Sequence, residues 1–114
     1  MKYTMTYRQW DIILVPFPFT DLTTNKKRPA LIISPDEYNR GLDVIIAFIT
    51  SNIKSPNKMG DYQIQDWKIS NFPKPSMLRM KFATIDTSIV KKKLGVLSDT
   101  DKEEFRKLLM SFFS

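Results

Sequence analysis

The chain has 114 residues, 42% apolar and 26% charged, which suits one soluble globular domain (1–114) with a single core. Its formal net charge of +6 calls for an anionic partner, either nucleic acid or an acidic protein segment. Cysteine and histidine are absent and glycine occurs only at 41, 60 and 95. This composition excludes disulfide frameworks, the usual zinc sites, cysteine nucleophiles, Ser-His-Asp triads and glycine-rich phosphate loops.

The first nine residues are polar and aromatic, without the apolar stretch of a signal peptide, and are expected to form a flexible arm. The longest unbroken apolar run, Val44 to Ile49, is far shorter than the roughly 20 residues of a membrane-spanning helix. A cytoplasmic protein without membrane contact is expected. Ile12 to Val15 form an aliphatic run closed by Pro16, which predicts a short strand that ends, bulges or lies at an edge. Ala30 to Ile33 predict a second strand, and the polar residues 20–28 between them predict a wide hairpin loop. Arg28, held by Pro29 where the basic run meets this strand, is placed to grip a phosphate bidentately; the alternative is a solvated loop with incidental charge.

Residues 34–39 read as a turn or a single helical turn, closed by Gly41. Residues 43–50 are the most hydrophobic stretch and predict a central strand with Thr50 and Ser51 at its polar end. A loop over 52–60 leads to a predicted strand at 61–65, and then to a helical turn over 66–70 with Asp66 as N-cap. Residues 76–80 and 82–86 predict one interrupted strand, or two that meet at a bulge, with Ile89 and Val90 continuing the sheet. Lys91 to Lys93 form either a solvated turn or an electrostatic approach path for RNA. Ser98 caps the clearest helix, and Asp101 takes the acidic position of a capping box. Phe105, Leu108, Leu109 and Phe112 follow in one apolar stripe, a core or dimer contact. The strands lack a βαβ rhythm, so the predicted fold is mainly β, a small barrel capped by a C-terminal helix.

Asp11, the run Pro16-Phe17-Pro18-Phe19-Thr20-Asp21 and Arg28-Pro29-Ala30-Leu31 resemble the opening of the PemK/MazF family, the toxins of type II toxin–antitoxin systems. Ile49-Thr50-Ser51, Ile64-Gln65-Asp66-Trp67, Lys74-Pro75-Ser76, Ala83-Thr84-Ile85-Asp86 and Leu94-Gly95-Val96-Leu97-Ser98 resemble later blocks of PemK-like members in the same order. The resemblance implies an SH3-like barrel that forms a homodimer. It implies an mRNA interferase, a cofactor- and metal-independent endoribonuclease that cuts single-stranded RNA to 2′,3′-cyclic phosphate and 5′-OH ends. It also implies a cognate antitoxin with an acidic tail, and operator DNA reached through that antitoxin.

The catalytic residues implied are Arg28, to stabilise the phosphorane, Thr50, to hydrogen-bond the scissile phosphate, and Arg79. Lys26, Lys27, Ser51, Asp66 and Lys81 complete the expected RNA-binding set. Two departures stand out. Trp10 occupies a position where many members have glycine, and Lys81 stands where some members carry an aspartate base, with the spacing to Thr84 one residue shorter. Asp66, Asp21 or Asp11 are the replacements considered for that base, and Asp66 is equally a helix cap. Tyr62, Trp67 and Phe82 are either core residues or base-stacking surfaces. The alternative function is a non-catalytic barrel that binds nucleic acid or antitoxin, and a metal-dependent nuclease is a weaker third reading because the acidic residues are scattered.

Overall fold

The computed structural model describes residues 6–17, 26–54 and 58–114. Strand β1, Asp11–Pro16, is the expected aliphatic run and stops at Pro16. Strand β2, Lys27–Ile32, begins earlier than the expected Ala30, so Arg28 and Pro29 lie within the strand. Pro29 is tolerated there because pairing with the third strand starts only at Ala30, leaving Pro29 opposite β1 alone. A single helical turn, α1, Asp36–Asn39, precedes the hydrophobic strand β3, Asp43–Thr50. Strand β4 is only Tyr62–Gln63, and β5 runs unbroken from Met77 to Asp86.

After Asp86 the sequence expectation fails. The Asp86 carboxylate accepts the Ser88 N–H at 2.8 Å, which caps a 3-10 turn over Thr87–Ile89 and breaks the strand before Ile89 and Val90. The sheet resumes as β6, Lys92–Val96, so two residues of the lysine triple belong to a strand. Lys93 pairs its Nζ with the buried Asp11 at 3.1 Å. Helix α2, Asp99–Phe112, starts as predicted, with Ser98 Oγ accepting the Asp101 N–H at 3.1 Å. Among the described residues no helix is long and apolar enough to cross a membrane.

The six strands form one antiparallel sheet in the order β4-β5-β3-β2-β1-β6. It curls into a half-barrel because the segment after β4 reaches across to the opposite edge. Asn71 donates its side-chain amide to the Leu94 carbonyl at 3.0 Å, and Gly95 lies so close that a Cβ there would sit 2.6 Å from the Ser70 carbonyl oxygen. Alternation along the strands sorts the core into two faces. Ile12, Leu31, Ala47, Ile49 and Leu78 pack with Phe105 of α2 on one face. Ile13, Val15, Ala30, Ile32, Val44, Ile46 and Ile85 occupy the other, with Tyr7, Ile89 and Val90 against them.

Trp10 takes φ = 76°, the left-handed conformation that glycine adopts most readily. Its N–H donates to Ile32 at 2.7 Å and its carbonyl accepts the Leu97 N–H at 3.0 Å, while the indole packs on the Phe105 face. Packing and two backbone bonds therefore hold a conformation that ordinarily costs about 1–2 kcal/mol for a residue with a Cβ.

Asp101 ties α2 to the sheet edge. Its fully buried carboxylate accepts the Tyr62 hydroxyl at 2.5 Å, the Gln65 and Asp66 N–H groups at 2.9 Å each, and the Ser98 hydroxyl at 3.2 Å. Burial, then the hydrogen bond to Asp101 and the nearby carboxylates, pushes the Tyr62 phenol well above its ordinary value.

Asp101→Ala should lower stability by about 3–5 kcal/mol in urea unfolding, because several buried donors lose their acceptor together. The raised Tyr62 value means that the folded protein keeps this proton after the unfolded chain, titrating near 10.0, has released it. Stability should therefore hold below pH 10 and fall as pH rises beyond it, and Tyr62→Phe should shrink that fall in unfolding midpoints measured across pH.

Candidate functional site

The β3–β5 register places the site. Ala47 pairs with Phe82 and Ile49 with Leu78, so Phe48 alone faces three β5 residues, Arg79, Met80 and Lys81. This bulge, at the position where the sequence predicts an interruption, turns the Arg79 and Lys81 side chains out of the regular ladder. They line an open cleft of about 870 Å³ with Thr50 and Asn52 at the end of β3, Lys58, Met59 and Asp61 before β4, and Phe112 at the end of α2. Three cations thus meet one carboxylate in a cleft whose remaining wall is largely apolar.

Arg28 approaches from the other side. The β2–β3 register, continued two positions past Ala30↔Phe48, sets Arg28 across from Thr50 on the same sheet face. Its guanidinium lies 5.2 Å from the centre of the Phe17 ring, Phe17 meets Phe48 edge-on at 5.9 Å, and Lys81 Nζ stands 5.9 Å over Phe48. Two aromatic rings therefore separate Arg28 from Lys81, each cation held over a ring face. The same sheet face is apolar core at Val44 and Ile46 and cationic at the Arg28 and Arg79 end.

Of the residues expected to act on RNA, Thr50, Arg79 and Lys81 meet in the cleft, whereas Arg28 does not line it and sits beside Phe17, Pro29 and Phe48. Lys26 and Lys27 are exposed at the start of β2, and Ser51 is exposed just beyond β3. Asp66 lies outside the cleft, its N–H bound to Asp101. Asp11 is buried, accepting the Arg8 N–H at 2.8 Å and pairing with Lys93. Asp21 falls outside the described residues. Tyr62, Trp67 and Phe82 all pack against the core, Tyr62 with its ring 6.0 Å from Phe105 and Phe82 with its ring also 5.5 Å from the exposed Phe113.

Sequence reasoning passed over Asp61. Its Oδ2 stands 3.6 Å from Arg79 Nη1, and its side chain is only 4% exposed. The β4–β5 register explains the meeting, since Tyr62↔Leu78 continued by one position sets Asp61 opposite Arg79. Gly60 before it has φ = 86° and lies under Met80 and Phe112, where a Cβ would come 2.4 Å from Met80 Cγ. Among the described residues no three acidic side chains converge on a common point.

A small curled β-barrel, a C-terminal helix and a cationic cleft at the β3–β5 bulge define the class. The chain belongs to the PemK-like, MazF-like toxins of type II toxin–antitoxin systems, whose family model matches residues 8–113. No curated protein sequence matches the chain. Solved structures share its fold: a chain of the MazE–MazF complex of Deinococcus radiodurans has a TM-score of 0.74 and 17% identity, over 97% of this chain and 98% of that one. An endoribonuclease from a mycobacterial species, in complex with its cognate antitoxin, has a TM-score of 0.72 and 13% identity over 95% and 93%. The Mycobacterium tuberculosis toxin MazF-mt6 has a TM-score of 0.70 and 16% identity over 90% and 95%.

Gly60→Ala should destabilise the protein by about 1–3 kcal/mol in thermal unfolding, from the left-handed backbone and the collision with Met80 together. Adding Met80→Ala should recover only the collision component.

Proposed function

We propose that this toxin is a metal-independent endoribonuclease that cuts single-stranded RNA, with the scissile phosphate bound between Arg28, Thr50 and Arg79. The gathering of Thr50, Arg79 and Lys81 in one cleft, with Arg28 on the same sheet face, carries this reading. In the reaction the ribose 2′-oxygen attacks phosphorus, the bond to the 5′-oxygen breaks, and a 2′,3′-cyclic phosphate and a 5′-OH result. Arg28 and Arg79 balance the charge that develops on the phosphorane, which is worth most where donors are fixed before the reaction begins. Thr50 Oγ1 accepts the Asn52 N–H at 3.1 Å, which leaves its hydroxyl proton to be donated to a phosphate oxygen. The 2′-OH proton leaves to water, and water or an arginine protonates the 5′-oxygen. Lysines 26, 27 and 81 attract the flanking phosphates.

The antitoxin belongs to the same proposal. An acidic tail laid in the cleft would neutralise the cations that bind RNA, so inhibition and substrate binding would compete. A homodimer, as the family resemblance implies, would present two such clefts. Operator DNA is reached through the antitoxin.

A second reading has its own observation. Lys81, over the Phe48 ring, stands where some relatives carry an acidic base, and a cleft with cations and no base at that position suits binding without cleavage. The two readings differ in product. In EDTA, the wild type should yield fragments with cyclic-phosphate and 5′-OH ends. Arg28→Ala and Arg79→Ala should each lower the single-turnover rate by about 10²-fold or more, and Thr50→Val by about 10-fold. RNA left intact by folded, antitoxin-free protein would reject cleavage, and binding with a steep salt dependence would then support the second reading.

A further inference from the structure

We infer that Asp61 is a positioning residue, the buried carboxylate that fixes the Arg79 guanidinium toward a phosphodiester in the cleft. The assignment rests on the proposed function for the identity of that ligand.

Arg79 sits in the bulge, where β5 lacks its regular partners, and its side chain is long and flexible. A guanidinium there needs a second constraint to present a defined edge. Asp61 is built to supply one. The Lys58 N–H donates to its Oδ2 at 2.7 Å, and the Asp61 N–H donates back to the Lys58 carbonyl at 3.0 Å, so the turn alone holds the carboxylate in place. Gly60, in its left-handed conformation beneath Met80 and Phe112, makes that turn sterically possible. The carboxylate is nearly enclosed, whereas the Arg79 side chain stays 17% exposed and lines the cleft beside Thr50 and Lys81. Its two neighbours commit Asp61 to orienting Arg79. The carboxylate missing at position 81 is thus restored from the turn before β4 in a different role: it aims a cation instead of removing a proton.

Charge makes the test decisive. A carboxylate near a phosphate repels it, so any aid Asp61 gives to binding comes through the groups it holds, and the Arg79→Ala background isolates the part that runs through Arg79. Affinity for a single-stranded all-deoxy oligonucleotide, which lacks the attacking 2′-OH, should be measured for the wild type, Asp61→Asn, Arg79→Ala and the double variant. Asp61→Asn keeps an acceptor for the Lys58 N–H, and circular dichroism verifies that each variant is folded. With Arg79 present, Asp61→Asn should weaken binding about 10-fold; in the Arg79→Ala background it should leave binding unchanged or tighten it. Equal effects in the two backgrounds, no weakening with Arg79 present, or no binding by the wild type would overturn the assignment. A wild type that binds with this coupling but leaves RNA intact would reject the ribonuclease reading alone.

Discussion

One mismatch in hydrogen-bonding register governs the cleft: three residues of β5 lie across from the single residue Phe48 of β3. Arg79 and Lys81 alternate with Met80 and Phe82 and precede the partly buried Ala83 and the buried Ile85 on one face of β5, whose apolar core has no room for a cation. The bulge carries them to the margin, and the apolar core runs undisturbed up to it. Thr50 ends β3 at the same margin, and the continued β2–β3 register brings Arg28 opposite it. The site is a place where sheet pairing gives way, and the remaining strands supply rigidity around it.

Curling adds the second half of the architecture. The segment after β4 bonds to β6 through Asn71, and Asp101 fastens that segment to the start of α2. Fixing α2 there brings its far end, with Phe112, to the cleft as an apolar wall beside Met80. The same short stretch holds Asp61 opposite Arg79. Closure of the sheet and orientation of the arginine are consequences of one chain path between Lys58 and Phe72, which couples the stability of the half-barrel to the shape of the cleft.

Much of this is legible in the residues alone. Strands β1, β3 and β5, the single helical turn and the capped helix follow from aliphatic runs, prolines and Ser98, because local propensity and tertiary packing agree there. Arg28 and Thr50 stand at predicted strand ends, where polar side chains are readily noticed, whereas Arg79 is singled out only by the family resemblance. Asp61 is hidden because its meaning depends on register between distant strands, and no local pattern around Gly60 announces a partner at position 79. Lys93 misleads for the same reason: within a run of three lysines it reads as solvated, yet β6 pairing brings it to the buried Asp11. Trp10 is a subtler case. The resemblance sets this tryptophan where many members have glycine, and the backbone takes the left-handed conformation all the same, with the indole packed on the core.

The most direct test of the proposed phosphate site is a nuclear magnetic resonance titration with a short single-stranded RNA in which the attacking 2′-OH is replaced by hydrogen. The account predicts saturable shifts concentrated at Arg28, Thr50, Arg79 and Lys81, with the arginine side-chain N–H signals among them and Lys91 to Lys93 little affected. Shifts centred on the β6 lysines, with the Thr50 and Arg79 signals unmoved, would contradict it and place the anionic ligand elsewhere on the barrel.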